Sequence, residues 1–215
     1  MRAERLSERA YRLIKDRIVT LALLPGQLID ERALMQDLGL GRTPIREALL
    51  ALARDGLVTI LPRRGTLVSD VRLTDLQKIF ELRVVLEGYC ARVAAQRVTP
   101  AELAEMEAVL GTLDSAPNGD PRVLMDVDQR FHELLYRAAH NEYMEQVLTS
   151  LYALSMRLWH LALDRTGGAW DAVRTHIEDF EALRARDGER AERCIREHIV
   201  AFQQQFREML SPTTH

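Results

Sequence analysis

Four side chains in the C-terminal part of the sequence, Asp128, His132, His176 and His198, are of the types that hold a divalent metal. Asp128 and His132 stand four residues apart, so on a helix they project from one face. His176 and His198 are separated by 22 residues (198 − 176), room for a helix, a turn and a return. Brought to one point, a carboxylate and three imidazoles are a ligand set for zinc or another first-row divalent ion, with nickel, manganese or iron taken according to supply. Spacing alone does not bring them together. Taken singly, each histidine reads more simply as a surface or core residue, and His140, His160 and His215 keep that reading.

A second set, Arg42, Thr43 and Arg46, lies at the start of a predicted helix and off its apolar stripe of Ile45, Ala48, Leu49 and Leu52. Arginines there can fork onto guanine edges or phosphates, and the helix N-terminus itself attracts a phosphate. A third set, Arg63, Arg64 and Gly65, sits between two strand-like runs; the arginines bring charge and the glycine lets the backbone come close to a groove.

The elements that must carry these groups read as follows. Asp30 caps a short helix ending at Gly39, a tight turn follows, and Thr43 caps a second helix, with Pro44 at its first position, that runs to about Asp55 and ends on Gly56. Two helices so joined, the second presenting a basic N-terminal end, have the arrangement of a helix-turn-helix. Leu57–Leu61 and residues 66–69 read as a hairpin around Pro62–Gly65, which makes a wing. Before them, Leu6, Ala10, Leu13, Ile14, Ile18 and Leu21 line one face of a helix stopped by Pro25-Gly26, and Leu28-Ile29 is a short extended piece able to pair with the wing. The winged helix-turn-helix domain spans residues 1–70.

From Leu73 onward only helical patterns appear. Thr74 with Gln77 and Thr99 with Glu102 form capping boxes for helices reaching about Val98 and stopping before Pro117-Asn118-Gly119. Further helices are predicted from Asp120-Pro121 to about His140, from Asn141 to Asp164, from about Ala169 to Arg186 past the Thr166-Gly167-Gly168 break, and from Glu189 to Leu210. Short loops between helices imply an antiparallel all-helical bundle over residues 71–215, so the fold class is mainly α.

Composition fits this division. The formal net charge is −3, but residues 1–72 carry 13 Lys+Arg against 9 Asp+Glu (+4) and residues 73–215 carry 16 against 23 (−7). The basic part is the part with the helix-turn-helix, as phosphate binding requires. At 47% hydrophobic and 28% charged the chain is ordinary globular material. Its apolar runs are short and broken by charge, so no membrane span is expected, and the N-terminal MRAERLSERA lacks the apolar core of a signal peptide. Two cysteines within helical patterns read as reduced thiols of a cytoplasmic protein.

On these residues the sequence resembles the GntR superfamily of bacterial transcription regulators, in its FadR-like branch with an FCD effector-binding domain. The likeness rests on the run from Leu28 to Leu34, on Gly41–Leu49 and on Leu52–Leu57. In the bundle it rests on Glu81-Leu82-Arg83 with Leu86-Glu87, Asp128 with Phe131-His132, His176 and His198. It covers about residues 8–210. The resemblance implies that Arg32 touches phosphate or base, that Arg42, Thr43 and Arg46 contact the major groove and phosphates, and that Gly65 with Arg63 or Arg64 forms a minor-groove wing tip. This wing is spelled differently from the best-known fatty-acid-responsive members. It implies that Asp128, His132, His176 and His198 bind a metal, and that Arg83 faces the carboxylate of a small organic-acid effector, unless it instead pairs with Glu87 four residues on. Fatty-acyl-binding members lack this metal set, which disfavours an acyl-CoA effector.

The function expected is a cytoplasmic, homodimeric regulator that binds double-stranded operator DNA under control of a carboxylate effector, and not an enzyme. One recognition helix reads too few bases alone, and two-fold operators match two-fold proteins. The alternative is a metal-dependent hydrolase whose Asp/His3 site activates water. Against it, no further carboxylate has an evident claim as general base, and the winged helix would go unexplained.

Overall fold

The computed structural model describes residues 4–70, 72–113, 120–162 and 173–210. These residues divide into two compact units: those up to Asp75 together with Ala153–Leu161, and those of Leu76–Tyr152 and Ala162–His215.

The first unit begins with α1 (Leu6–Val19), which buries Ala10, Ile14 and Ile18. The helix stops at Val19, before the expected Pro25-Gly26, because Leu21 turns into the left-handed region with φ 60°. Then come β1 (Leu28–Ile29) and α2 (Glu31–Leu38). Asp30 caps α2 by accepting from the Arg32 and Ala33 amides, and Gly39 closes it with φ 62°. The next helix, α3 (Arg42–Arg54), is capped by Gly41, not by Thr43. Pro44 is therefore its third residue; its missing N–H still falls in the first turn, where no intrahelical acceptor exists. The predicted stripe of Ile45, Ala48, Leu49 and Leu52 is buried as expected. β2 (Val58–Leu61) and β3 (Gly65–Val68) pair antiparallel, and β1 adds to β3 with Leu28 opposite Leu67, giving the order β1-β3-β2. In the same unit, Arg157 is buried and donates to the Ser69 carbonyl.

Among its described residues the regular elements of the second unit are all helices. It holds α4 (Leu73–Arg97), α5 (Pro100–Gly111), α6 (Pro121–Ala138), most of α7 (Glu142–Ala162), α8 (His176–Arg184) and α9 (Gly188–Leu210). Thr99 and Glu102 form the predicted capping box, and the Asn141 side chain accepts from the Met144 amide. Thr74 lies inside α4 and is not its cap. The breaks expected at Pro117–Gly119 and Thr166–Gly168, the helix start near Ala169, and His215 lie outside the described residues. The expected helix reaching Arg186 is interrupted at Thr175, so that α8 begins on His176. Phe80, Phe131, Leu135, Ile195 and Phe206 fill the core. Gly88 of α4 lets α9 come close, since a Cβ there would lie 2.7 Å from Arg196 Cγ. No helix among the described residues is long and apolar enough to cross a membrane.

Candidate metal centre and nucleic-acid interface

Helices α6, α8 and α9 bring the four predicted ligands together. One ligand atom from each of Asp128, His132, His176 and His198 lies within 4.8 Å of the others. The His176 and His198 rings stack at 4.4 Å between centroids, and His132 meets them at 5.0 and 5.7 Å. All three imidazoles are buried and Asp128 is nearly so. Convergence that spacing left open is therefore met in the fold.

Each ligand is held from behind. His132 Nδ1 lies 3.0 Å from Glu87 Oε2, His176 Nδ1 lies 3.1 Å from Asp179 Oδ2, and His198 Nδ1 pairs with the Thr175 hydroxyl. Tyr152 donates to Asp128 Oδ2 at 2.6 Å, leaving Oδ1 to face His176 Nε2 at 2.9 Å. With Nδ1 occupied on every ring, the Nε2 lone pairs and Asp128 Oδ1 are the atoms left for an ion. The donor set thus fits a divalent cation that prefers nitrogen and oxygen.

Charge follows the same geometry. Burial pushes the Asp128 carboxyl up, but the hydrogen bond to His176 and the surrounding imidazoles outweigh it and hold it well below the usual carboxylate range. Burial pushes His176 down, but hydrogen bonds to Asp128 and Asp179 outweigh it and raise the ring to about 9. Burial, reinforced by the neighbouring His176, keeps His198 well below 6.5. In the metal-free protein the protonated His176 ring therefore stands between two carboxylates, with its Nε2–H toward Asp128 where an ion would be.

The stability consequence has a definite sign on the alkaline side. The folded value of His176 is raised above its ordinary 6.5, so its contribution is complete below 6.5, declines as pH rises, and is lost past about 9. Asp128, held low, contributes above its ordinary 3.8 and loses that contribution under acid. His198, held neutral, costs stability below 6.5. Melts of chelator-treated protein should fall from pH 7 to pH 9.5, and His176→Gln should flatten that decline. A decline of equal steepness in the variant would show that His176 is not its source.

Arg83 is buried in an ion pair with Glu87, Nε to Oε1 at 2.5 Å and Nη2 to Oε2 at 3.4 Å. This is the i+4 pairing the sequence allowed. Arg83 is linked to the histidine cluster through Glu87, which also takes His132. Glu87 and Asp179 were missed as members of the site. The i+3 spacing from His176 to Asp179 was visible, whereas the Glu87–His132 contact joins two helices and has no local signature. His140 pairs with Glu102 at 3.0 Å on the surface, away from the four ligands.

On the winged helix, Arg32, Arg42, Thr43, Arg46, Arg63, Arg64 and Gly65 are all exposed. Arg32, Arg42 and Arg46 line an open concavity of about 600 Å³ together with Asp30 and Glu31. Arg46 is steadied there by Glu31, Nε to Oε2 at 3.2 Å. At the wing tip Pro62, Arg63 and Arg64 connect the paired Leu61 and Gly65. Arg63 itself adopts φ 62°, a conformation glycine would take more cheaply. The pattern is that of a DNA reader: basic groups outward, apolar stripe inward.

A winged helix with an outward basic face, joined in one chain to a helical unit enclosing an Asp/His3 cluster, is the architecture of a DNA-binding transcription regulator. The FCD domain family matches residues 78–201, and the gntR family of bacterial regulatory proteins matches residues 6–68. The chain belongs to the GntR-type bacterial transcription regulators that carry an FCD domain. It is 26% identical over 208 residues to the HTH-type transcriptional repressor RspR of Escherichia coli (strain K12), covering 95% of this chain and 90% of that protein. It shares the fold of E. coli McbR/YncC at a TM-score of 0.84 and 23% identity, covering 95% and 98% of the two chains. It is also similar to a solved metal-free FCD domain, at a TM-score of 0.53 and 20% identity over 64% of this chain and 94% of that one. The hydrolase alternative draws no support from these relatives, which are transcription regulators.

Proposed function

We propose that this regulator is a homodimer whose affinity for double-stranded operator DNA is set by a small carboxylate bound at a metal in the helical unit. The observation that carries the reading is the buried Asp128–His132–His176–His198 cluster, its ligand atoms within 4.8 Å of one another, in a chain that also bears a DNA-reading winged helix. Those four residues would hold the ion, with zinc favoured by the imidazole-rich set and nickel, manganese or iron as competitors. The bound ion would supply a Lewis-acidic point able to take a carboxylate oxygen. Arg83, held in place by Glu87, would offer guanidinium N–H donors to the same carboxylate.

Dimerisation is supported by the two-fold logic of operators and by Leu82, Val85 and Tyr89, exposed apolar residues on one side of α4. The effector can change operator affinity only by its differential affinity for the two states of the protein. A thermal-shift screen of small carboxylic acids against zinc-loaded protein tests the reading. An acid that raises the melting point and also alters operator binding is expected; acids that stabilise nothing across the screen would defeat it.

The DNA half has its own test. Arg46→Ala should weaken operator binding by roughly 1–3 kcal/mol, or about 5–150-fold. A gel-shift titration at physiological salt measures this. Unchanged affinity would remove Arg46 from the contact surface.

A further inference from the structure

We infer that Glu87 and Asp179 are positioning residues of the metal centre, each carboxylate fixing one imidazole with its Nε2 turned toward the ion. The inference rests on the metal reading above. Glu87 lies on α4 and Asp179 on α8, one turn from His176. Both are essentially inaccessible to solvent, Glu87 at 0% and Asp179 at 1% exposure.

A histidine can present either ring nitrogen, and the hydrogen bond made by one decides which is left for a metal. Glu87 Oε2 at 3.0 Å from His132 Nδ1 and Asp179 Oδ2 at 3.1 Å from His176 Nδ1 select the same outcome on both rings. A carboxylate acceptor also makes the imidazole a stronger donor to the ion.

Asp179 carries the greater weight. The burial of Glu87 could be explained without a metal, since Arg83 neutralises it. No arginine or lysine pairs with Asp179 among the described residues, and its Oδ1 has no hydrogen-bond partner there. A buried carboxylate with one oxygen unsatisfied is costly unless a nearby cation offsets it. A divalent ion beyond the His176 ring is such a cation. Counting formal charges, Glu87 cancels Arg83, and Asp128 with Asp179 cancels a dication, so the filled site is neutral.

The test uses the full chain and zinc as probe, in competition with a chromophoric chelator. Asp179→Asn should lower zinc affinity about 10–100-fold. Its His176 Nδ1–H resonance should move upfield in the zinc-loaded protein, a shift that a merely structural role would not produce. Glu87→Gln should weaken zinc in the same sense, although it also leaves Arg83 unpaired. A measurement on the wild type does not depend on variant folding: nitrogen shifts of the zinc-loaded protein should show His132 and His176 coordinated through Nε2 with Nδ1 protonated. Wild-type zinc uptake with undiminished affinity in Asp179→Asn, or coordination through Nδ1, overturns this inference and leaves the metal reading standing. Wild-type protein that takes up no zinc, cobalt or nickel overturns both.

Discussion

Replacing Arg83 with methionine is expected to destabilise the protein by about 3–5 kcal/mol, the scale found when one partner of a buried ion pair is removed. Arg83 and Glu87 have side-chain exposures of 4% and 0%, and the guanidinium meets both carboxylate oxygens. Burial pushes the Glu87 carboxyl up, but the Arg83 guanidinium, with help from His132, holds it at about 2. Without the guanidinium the carboxylate must stay charged in the interior on the hydrogen bonds of His132 and Tyr136 alone, or take up a proton. Either course costs free energy, and protonation also weakens the grip on His132.

Urea unfolding of the metal-free protein measures this loss without effector or ion. Arg83→Lys should recover only part of it, because an ammonium cannot reproduce the two-pronged contact. The double variant Arg83→Met/Glu87→Met should be less destabilised than the sum of the single ones, since no net charge is then left inside. A single Arg83→Met variant with the wild-type midpoint would mean that the pair is not what stabilises this part of α4. The same result bears on effector binding: a lost response in an Arg83 variant implicates the residue in recognition only after its effect on stability has been subtracted.

The parts of the fold legible in the sequence are those fixed by local rules. Asp30, Gly39 and Gly56 punctuate the helix-turn-helix because capping and left-handed turns depend on residue type within a few positions. Gly41 displaced Thr43 as cap of α3 because a proline is tolerated anywhere in a first turn, so Pro44 does not specify the helix start to within two residues. Leu21 ended α1 early by adopting a conformation that leucine rarely takes and that no local signal marks. The ligand set itself was legible as residue types, and its convergence required the packing of α6, α8 and α9. The interruption at Thr175 belongs to that tertiary level. Its hydroxyl serves His198, 23 residues away, a contact that helical periodicity cannot reveal.

Stripping the metal from zinc-loaded protein is expected to lower its melting temperature by roughly 10 °C at pH 7, corresponding to about 3–4 kcal/mol for an ion held 100–1,000-fold above its dissociation constant. The loss is bounded because the empty site does not leave bare charges facing one another. The protonated His176 ring, with Nε2–H toward Asp128 and Nδ1–H toward Asp179, keeps opposite charges adjacent after the ion has gone. Metal and proton would therefore compete for one place, and zinc uptake at pH 7 should release about one proton, measurable from the buffer dependence of the binding enthalpy. Above about 9 the proton has left His176 already, and uptake should release correspondingly less. The metal-free form loses stability over this range while the ion-filled form has no such proton to lose. The gap in melting temperature between the two forms should accordingly widen from pH 7 to pH 9.5. A gap that stayed constant, or proton release indifferent to pH, would show that His176 does not hold the ion's place in the free protein.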